Sequence, residues 1–270
     1  MTYPFSDASA TPLAQLLSLE GRSAVVTGGA QGLGKAIAVR LAEAGAHVVI
    51  GDLDGARAQE AAADLASRFG GRASGVTLDV TDARSVADTA AHAEAQNGRI
   101  DIWVNNAGVF PSVPVLDMSD EQWDAVFAVN ARGVFTGSRE AARSMSTTGG
   151  GVIVNVASTA GFRGTAPGLA AYVGSKHAVR GLTKQTALEF APLGIRVLGV
   201  APTFVPTEGN LAAAAAHAGD EPVDMAVMTN SLIGRLGTPD DIARVVLFCA
   251  SDASLIMTGS TLLADAGQTI

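Results

Sequence analysis

The sequence predicts an α/β protein, a parallel sheet covered by helices on both faces. Short apolar runs such as SAVVTG, HVVIGD and GVIVNVAS recur between longer Ala-rich amphipathic stretches. Continuously apolar strands separated by helices are the mark of a sheet buried on both sides. The composition agrees: apolar residues make up 48% of the chain but aromatics only 5%, and 31 glycines suit close packing of helix on sheet. No Pro- or Ser-rich linker divides the 270 residues, so residues 19–270 read as one domain after a polar arm, 1–18, that carries Pro4 and Pro12.

Taken in order, the first strand is SAVVTG, followed by a helix over Gly32 to Ala44. HVVIGD is the second strand, and its helix runs from Asp54 to Arg68. ASGVTLDV, a helix over Asp82 to Gln96, and DIWVNNAG continue the alternation. A long helix is expected over Asp120 to Met145, then GVIVNVAS, a helix over Leu169 to Phe190, and the strand IRVLGVAP. Thr203 to Gly237 breaks the rhythm, with Pro206, an Ala run from Ala212 to Ala216, Met225 and Met228. A connection that long at the carboxyl end of a strand is expected to border a ligand. A helix over Asp240 to Cys249 and a strand over Ser260 to Ala264 close the chain.

Several classes of function are excluded at this stage. Asp plus Glu number 26 against 18 Lys plus Arg, a net charge of −8 with no basic run, so nucleic acid is not an expected partner. No apolar run reaches the ~18 residues of a membrane helix, and MTYPFSDASATP has neither the basic start nor the apolar core of a signal peptide. Cys249 is the sole cysteine and can form no internal disulfide, which points to the cytoplasm. With four His and one Cys, none at ligand spacing, no catalytic metal is expected, and His217 reads as a surface helix residue.

The first motif is Thr27-Gly28-Gly29-Ala30-Gln31-Gly32-Leu33-Gly34, between a strand and a helix. Glycines there let the backbone turn sharply and approach a pyrophosphate, while the helix N-terminus offers free N–H groups. Asp52 ends the second strand, where a carboxylate can accept from an adenosine ribose or cap the next helix. At ~4 Å and an effective dielectric of ~20 it repels a like charge by about 4 kcal/mol before screening. No Arg or Lys lies between Gly28 and Gly34 or directly after Asp52, so NAD is expected over NADP. Asp79-Val80 and Asn105-Asn106-Ala107-Gly108 follow the third and fourth strands and fit either a site or ordinary turn chemistry.

The last motif is Tyr172-Val173-Gly174-Ser175-Lys176 on a helix, with Ser158 fourteen residues upstream at a strand end. The i, i+4 spacing puts Tyr172 and Lys176 on one face. Moving a phenol from a pKa of about 10 to near 7 takes roughly 4 kcal/mol. One ammonium at ~4 Å supplies about that much at a dielectric of ~20. Lys176 is therefore expected to make Tyr172 a usable acid or base.

Together TGGAQGLG, NNAG, Asn130, Ser158, YVGSK and the late Pro202-x-x-Val205-x-Thr207 resemble the classical short-chain dehydrogenase/reductase family, over Leu19 to about Gly267. The resemblance implies a doubly wound, seven-stranded parallel Rossmann sheet and a nicotinamide dinucleotide. It makes Tyr172 the general acid/base, has Lys176 tune it and hold the nicotinamide ribose, and sets Ser158 on the substrate oxygen. Asn130 would support a water-linked proton relay. Gly28, Gln31, Gly32, Leu33 and Gly34 would hold the pyrophosphate, and Asp52 and Leu53 the adenosine ribose. Asp79 and Val80 would flank adenine, Asn106, Ala107 and Gly108 would line the ribose side, and Pro202, Val205 and Thr207 would meet the carboxamide. Thr203 departs from the glycine usual after that proline, and a β-branched residue does not readily take positive φ.

The substrate pocket is expected between Thr159 to Gly164, Phe110, Pro111 and Thr203 to Gly237. Its side chains are mainly Ala, Met, Val and Phe, with Arg163 a solvated loop cation, which fits a secondary alcohol or ketone of modest polarity. The rivals are an NADPH-dependent ketone or 3-oxoacyl reductase and a dinucleotide-binding sensor without turnover. An extended-family epimerase is disfavoured because no second substrate domain follows Thr203. The two long helices resemble those the family uses for assembly, so a homotetramer is expected.

Overall fold

Seven strands form one all-parallel sheet in the order β3-β2-β1-β4-β5-β6-β7. In this computed structural model, which describes residues 5, 7–211 and 231–270, they are β1 (Ser23–Thr27), β2 (His47–Asp52), β3 (Ala73–Thr77), β4 (Ile102–Asn105), β5 (Gly151–Val156), β6 (Ile195–Pro202) and β7 (Thr261–Ala264). The helices are α1 (Leu13–Leu16), α2 (Gly32–Glu43), α3 (Gly55–Arg68), α4 (Ala83–Asn97), α5 (Asp120–Phe127), α6 (Gly133–Thr148), α7 (Ala170–Phe190) and α8 (Pro239–Ala250).

Alternate residues of each strand feed two separate cores, as the two-residue period of a strand requires. Ala24 and Val26, Val48 and Ile50, Ile102 and Val104, Val152 and Val154 pack against α2, α3 and α8. Their neighbours Val25, Val49, Trp103 and Ile153 face the other way, onto α4, α6 and α7. The sheet is thus doubly wound, with the order reversing between β1 and β4, where open α/β sheets bind ligands.

Local chemistry sets the ends. Asp54, not Asp52, caps α3 by accepting from Arg57 N at 3.0 Å, and Asp82 caps α4 through Arg84 N at 2.9 Å. Thr238 and Asp241 form a capping box at α8. At its other end α8 is held by Arg196, buried on β6, whose guanidinium donates to the carbonyls of Cys249, Ser251 and Ser254. Burial pulls that guanidinium down to about 10 and pushes the Cys249 thiol up to about 12, so the thiol is inert at neutral pH.

One expectation needs correction. The long helix over Asp120 to Met145 is broken by a π-turn at Ala128–Arg132, which separates α5 from α6 and carries Asn130. One extra residue in the ladder relieves no visible apolar pattern, which is why periodicity missed it. The polar arm contains the single turn α1, with Leu13 79% exposed, and the buried structure begins at Leu19. Ala212 to Ala216, His217, Met225 and Met228 lie outside the described residues. No described helix is long and apolar enough to cross a membrane.

Candidate active site

Because the strands are parallel, their carboxyl ends open along one edge, and a cleft of about 440 Å³ runs there. It is lined by Gly28, Gln31, Gly32, Leu33, Gly34, Asp52, Leu53, Asp79, Val80, Asn106, Ala107 and Gly108 on one side of the switch, and by Ser158, Tyr172, Lys176, Pro202, Val205 and Thr207 on the other. Asn130 stands behind this wall, fully buried.

The glycine turn is shaped so that nothing but glycine fits at two points. Gly28 has φ +61°, and a Cβ there would meet Ala107 Cα at 2.9 Å; a Cβ on Gly34 would lie 2.0 Å from the Gly28 carbonyl oxygen. Asn106 locks the turn, its amide donating to the carbonyls of Thr27 at 3.0 Å and Gly28 at 2.9 Å. Thr27 Oγ1 accepts from the backbone N–H of both Asn106 and Ala107 at 3.0 Å. Gln31, the N-cap residue of α2, gives no side-chain cap, so the first N–H groups of that helix are left for an anion. This cradle fits a dinucleotide pyrophosphate.

Asp52 is fixed at the adjoining end of the cleft. Its carboxylate accepts from Ala30 N at 3.0 Å and from Asp54 N at 3.2 Å. A carboxylate has about four acceptor positions, so Asp52 keeps capacity for further donors from the cleft. Asp79 combines both roles left open by its sequence: it lines the cleft, and it makes an Asx turn by accepting from Thr81 N at 2.8 Å and Thr81 Oγ1 at 2.7 Å.

At the other end α7 presents Tyr172 and Lys176 to β5. Lys176 is 4% exposed and donates from Nζ to Val156 O at 2.8 Å. Its Nζ lies 5.7 Å from the centre of the Tyr172 ring, and Phe110 meets that ring edge-on at 6.0 Å. Burial lowers the Lys176 ammonium to about 8. Burial also raises the Tyr172 phenol above its ordinary value, and a hydrogen bond with Ser158 pulls it partly back. In the protein alone the net direction is upward, opposite to the one the Tyr-x-x-x-Lys spacing suggests, because desolvation of the phenol outweighs the Ser158 hydrogen bond.

Supporting contacts that no spacing rule could supply hold these groups. Asn130 accepts from Val109 N at 2.8 Å and donates to Val109 O at 2.8 Å and Ser175 Oγ at 3.0 Å, so its side-chain amide fixes the strand-end loop to α7. Ser158 Oγ accepts from Ala160 N at 3.1 Å, and Arg180 stacks on Phe162 at 3.5 Å while donating to Gly161 O at 2.6 Å, clamping the short turn Thr159–Gly161 to α7. Of the expected pocket wall, Phe110, Thr203, Gly209 and Asn210 line the cleft, joined by Val109 and Val129; Thr159 is buried, and Arg163 is exposed. Thr203 avoids the φ problem outright, since Ala266 is the only non-glycine residue with positive φ among the described residues. Its hydroxyl donates to Gln268 Oε1.

A doubly wound parallel sheet with a cleft at this switch defines a Rossmann-type protein, and comparison with known proteins makes it specific. The family model described as enoyl-(acyl carrier protein) reductase matches residues 28–269. Cyclopentanol dehydrogenase of Comamonas testosteroni is 38% identical over 91% of this chain and 96% of its own length. D-threitol dehydrogenase of Mycolicibacterium smegmatis is 39% identical over 93% and 94%, and 3-oxoacyl-[acyl-carrier-protein] reductase FabG of Thermotoga maritima 35% identical over 94% and 100%. The crystal structure of gox2181 superposes with a TM-score of 0.89 at 40% identity, covering 94% of this chain and 98% of that one. The chain belongs to the classical short-chain dehydrogenase/reductase family, oxidoreductases of alcohols and ketones that bind a nicotinamide dinucleotide.

Proposed function

We propose that this protein is an NAD-dependent dehydrogenase of secondary alcohols of modest polarity, with Tyr172 as general acid/base. The observation that carries the reading is one cleft with Asp52 at one end and, at the other, half-buried Ser158 and Tyr172 beside the buried Lys176. In oxidation Ser158 holds the substrate hydroxyl and Tyr172, as phenolate, takes its proton. Lys176 stabilises that phenolate and orients the nicotinamide ribose, and Asn130 keeps the Val109 loop and α7 in register for proton exchange with solvent. When bound, the oxidised nicotinamide would supply the hydride acceptor and a positive charge that opposes the upward shift burial gives the phenol. The glycine turn from Gly28 to Gly34 holds the pyrophosphate, Asp52 and Leu53 the adenosine ribose, Asp79 and Val80 the adenine, Asn106 to Gly108 the ribose side, and Pro202, Val205 and Thr207 the carboxamide. Val109, Phe110 and Val129 give the described substrate wall an apolar side, opposite Thr203 and Asn210, which favours a ring or chain alcohol over a phosphorylated one.

The same reading has one catalytic domain over 19–270, a homotetramer and a cytoplasmic setting. A second reading, an NADPH-dependent 3-oxoacyl reductase, is favoured by the 35% identity to the Thermotoga maritima reductase. Both are tested by absorbance in the reduced-nicotinamide band with NAD or NADP and a panel of secondary alcohols, polyols and hydroxyacyl thioesters. A rate with NAD that disappears in Tyr172→Phe is the expected result. Preference for NADP promotes the reductase, and tight cofactor binding without any turnover promotes a sensor.

A further inference from the structure

We propose that Arg180 is a positioning residue of the reacting end: acting through Gly161 and Phe162, it holds the Ser158 hydroxyl against the Tyr172 phenol. The inference rests on the proposed function for the role of that phenol and adds a residue to it. Arg180 lies eight residues after Tyr172 and four after Lys176, so the three stand in a row on one face of α7. Each reaches β5 or the turn that follows it. Tyr172 meets Ser158, Lys176 donates to Val156 O at 2.8 Å, and Arg180 donates from Nη1 to Gly161 O at 2.6 Å. Arg180 itself stands outside the cleft, so it acts only through what it holds.

The hold is specific to a guanidinium. Its carbon lies over the Phe162 ring, 3.5 Å from the centre, while one N–H reaches the Gly161 carbonyl. An ammonium is a compact point charge and does not combine the two contacts. Gly161 makes the approach possible, because a Cβ there would lie 2.7 Å from Lys176 O and 3.0 Å from Arg180 Cδ. Phe162 is packed against the buried cluster of Val134, Ala157, Val179 and Ala201, so the ring that Arg180 covers is itself anchored. Ser158 is tied to the same short turn: its Oγ accepts from Ala160 N at 3.1 Å and its carbonyl from Gly161 N at 2.9 Å. Arg180 Nε is buried with no hydrogen-bond partner among the described residues, a cost that a solvated side chain would not carry.

The Ser158 hydrogen bond pulls the phenol down against the upward shift of burial, so the turn sets how much of that shift remains. The same hydroxyl would hold the substrate oxygen, where a misplacement of ~1 Å costs about 10²-fold in rate. The charged groups lining the cleft are Lys176 at this end and Asp52 and Asp79 at the other, and Phe110, edge-on to the Tyr172 ring, carries none. Substitution at the turn changes none of them.

The chain has two tyrosines, Tyr3 and Tyr172. In a Tyr3→Phe background, meta-fluorotyrosine therefore places one fluorine reporter on the Tyr172 phenol, and its NMR shift against pH gives the ionisation midpoint without any turnover. Arg180→Ala is expected to raise that midpoint, lowering the ionisation constant about three- to tenfold, the scale of one net hydrogen bond. Losing a nearby cation would raise it too, so Ser158→Ala is the control: it should give the same shift, and the double variant no more than either. Arg180→Lys, which keeps the charge without the stack, should fall between Arg180→Ala and the parent, and Phe162→Leu should also raise the midpoint. An unmoved or lowered midpoint in Arg180→Ala, or in Phe162→Leu where Arg180→Ala does not fold, overturns the proposal. So does a shift that adds in full to that of Ser158→Ala, since Arg180 would then act as a distant charge. With an alcohol substrate, kcat of Arg180→Ala should fall about 10- to 100-fold at constant NADH affinity. Joint loss of kcat and NADH affinity would mark a merely structural role and overturn it as well. A wild-type chain that turns over no alcohol would overturn the proposed function and leave the fluorine comparison standing.

Discussion

The two ends of the cleft are built by opposite means. At the adenosine end the polar groups are tied by short bonds to nearby backbone: Asp52 to Ala30 and Asp54, Asp79 to Thr81, Asn106 to Thr27 and Gly28. At the reacting end an ammonium and a phenol are taken out of water, and Lys176 has a single carbonyl, Val156 O, as its hydrogen-bond partner. The first arrangement adds stability and shape, whereas the second costs stability and stores reactivity. In the proposed function binding and chemistry are thus separated along one sheet edge, and each end should fail in its own way when altered.

The largest effect should come from the reacting end. Tyr172→Phe is expected to lower kcat about 10³- to 10⁴-fold, the scale of a lost general acid/base, while NADH affinity stays within about threefold. Parallel loss of turnover and binding would erase the proposed separation.

Lys176 sharpens the contrast through pH. Its ammonium falls from 10.5 to about 8 in the fold, so a penalty of about 3 kcal/mol is fully present below pH 8 and is relieved as pH rises toward 10.5. The unfolding free energy of the cofactor-free wild type minus that of Lys176→Met should accordingly rise by about 3 kcal/mol between those limits. Denaturant titrations at several pH values measure it, and a flat difference would show that the ammonium is not desolvated. Lys176→Met should also be inactive throughout.

Gly34→Ala strikes the binding end, where the added methyl meets the Gly28 carbonyl at 2.0 Å. Displacing that turn should cost about 1–3 kcal/mol, read as a loss of NADH affinity and a lower Tm. An unchanged Kd would mean that the turn is not the cradle. The smallest effect is expected of Asp52→Asn, which should move the NADH-to-NADPH affinity ratio about tenfold toward NADPH, about 1.4 kcal/mol, with kcat on the best alcohol nearly constant.

The same division governs what the sequence could disclose. The glycine turn, Asp52 and Asp79 are legible as motifs because each ends a strand and turns on its own neighbours, as are all seven strands, whereas the bonds from Asp52 to Ala30 and from Asn106 to Thr27 span 22 and 79 residues and are not. Boundaries shifted only by a residue or a few, as where the last strand begins at Thr261 rather than Ser260. Arg180 stayed hidden because Gly161 and Phe162 come within its reach only after α7 packs against the turn that follows β5. The π-turn at Asn130 was equally invisible, since an added residue in a helix changes register without changing composition. The direction of the Tyr172 shift depends on how much water the fold removes, a quantity no i, i+4 spacing contains.

The sheet order has a further consequence for the order of events at the ribosome. β1, which carries the glycine turn, sits between β2 and β4, so it stays unpaired on one side until residue 102 has emerged. The wall opposite the turn comes later still, since Thr207 lies against Gly32 and follows β6. Such long-range pairings form slowly, because the loop must close before any contact repays it. A nascent chain stalled before Thr207 would therefore hold the complete YVGSK helix yet lack a closed cleft. Cofactor would become a stabilising ligand only in the final quarter of synthesis, when most of the apolar sheet has already waited without it.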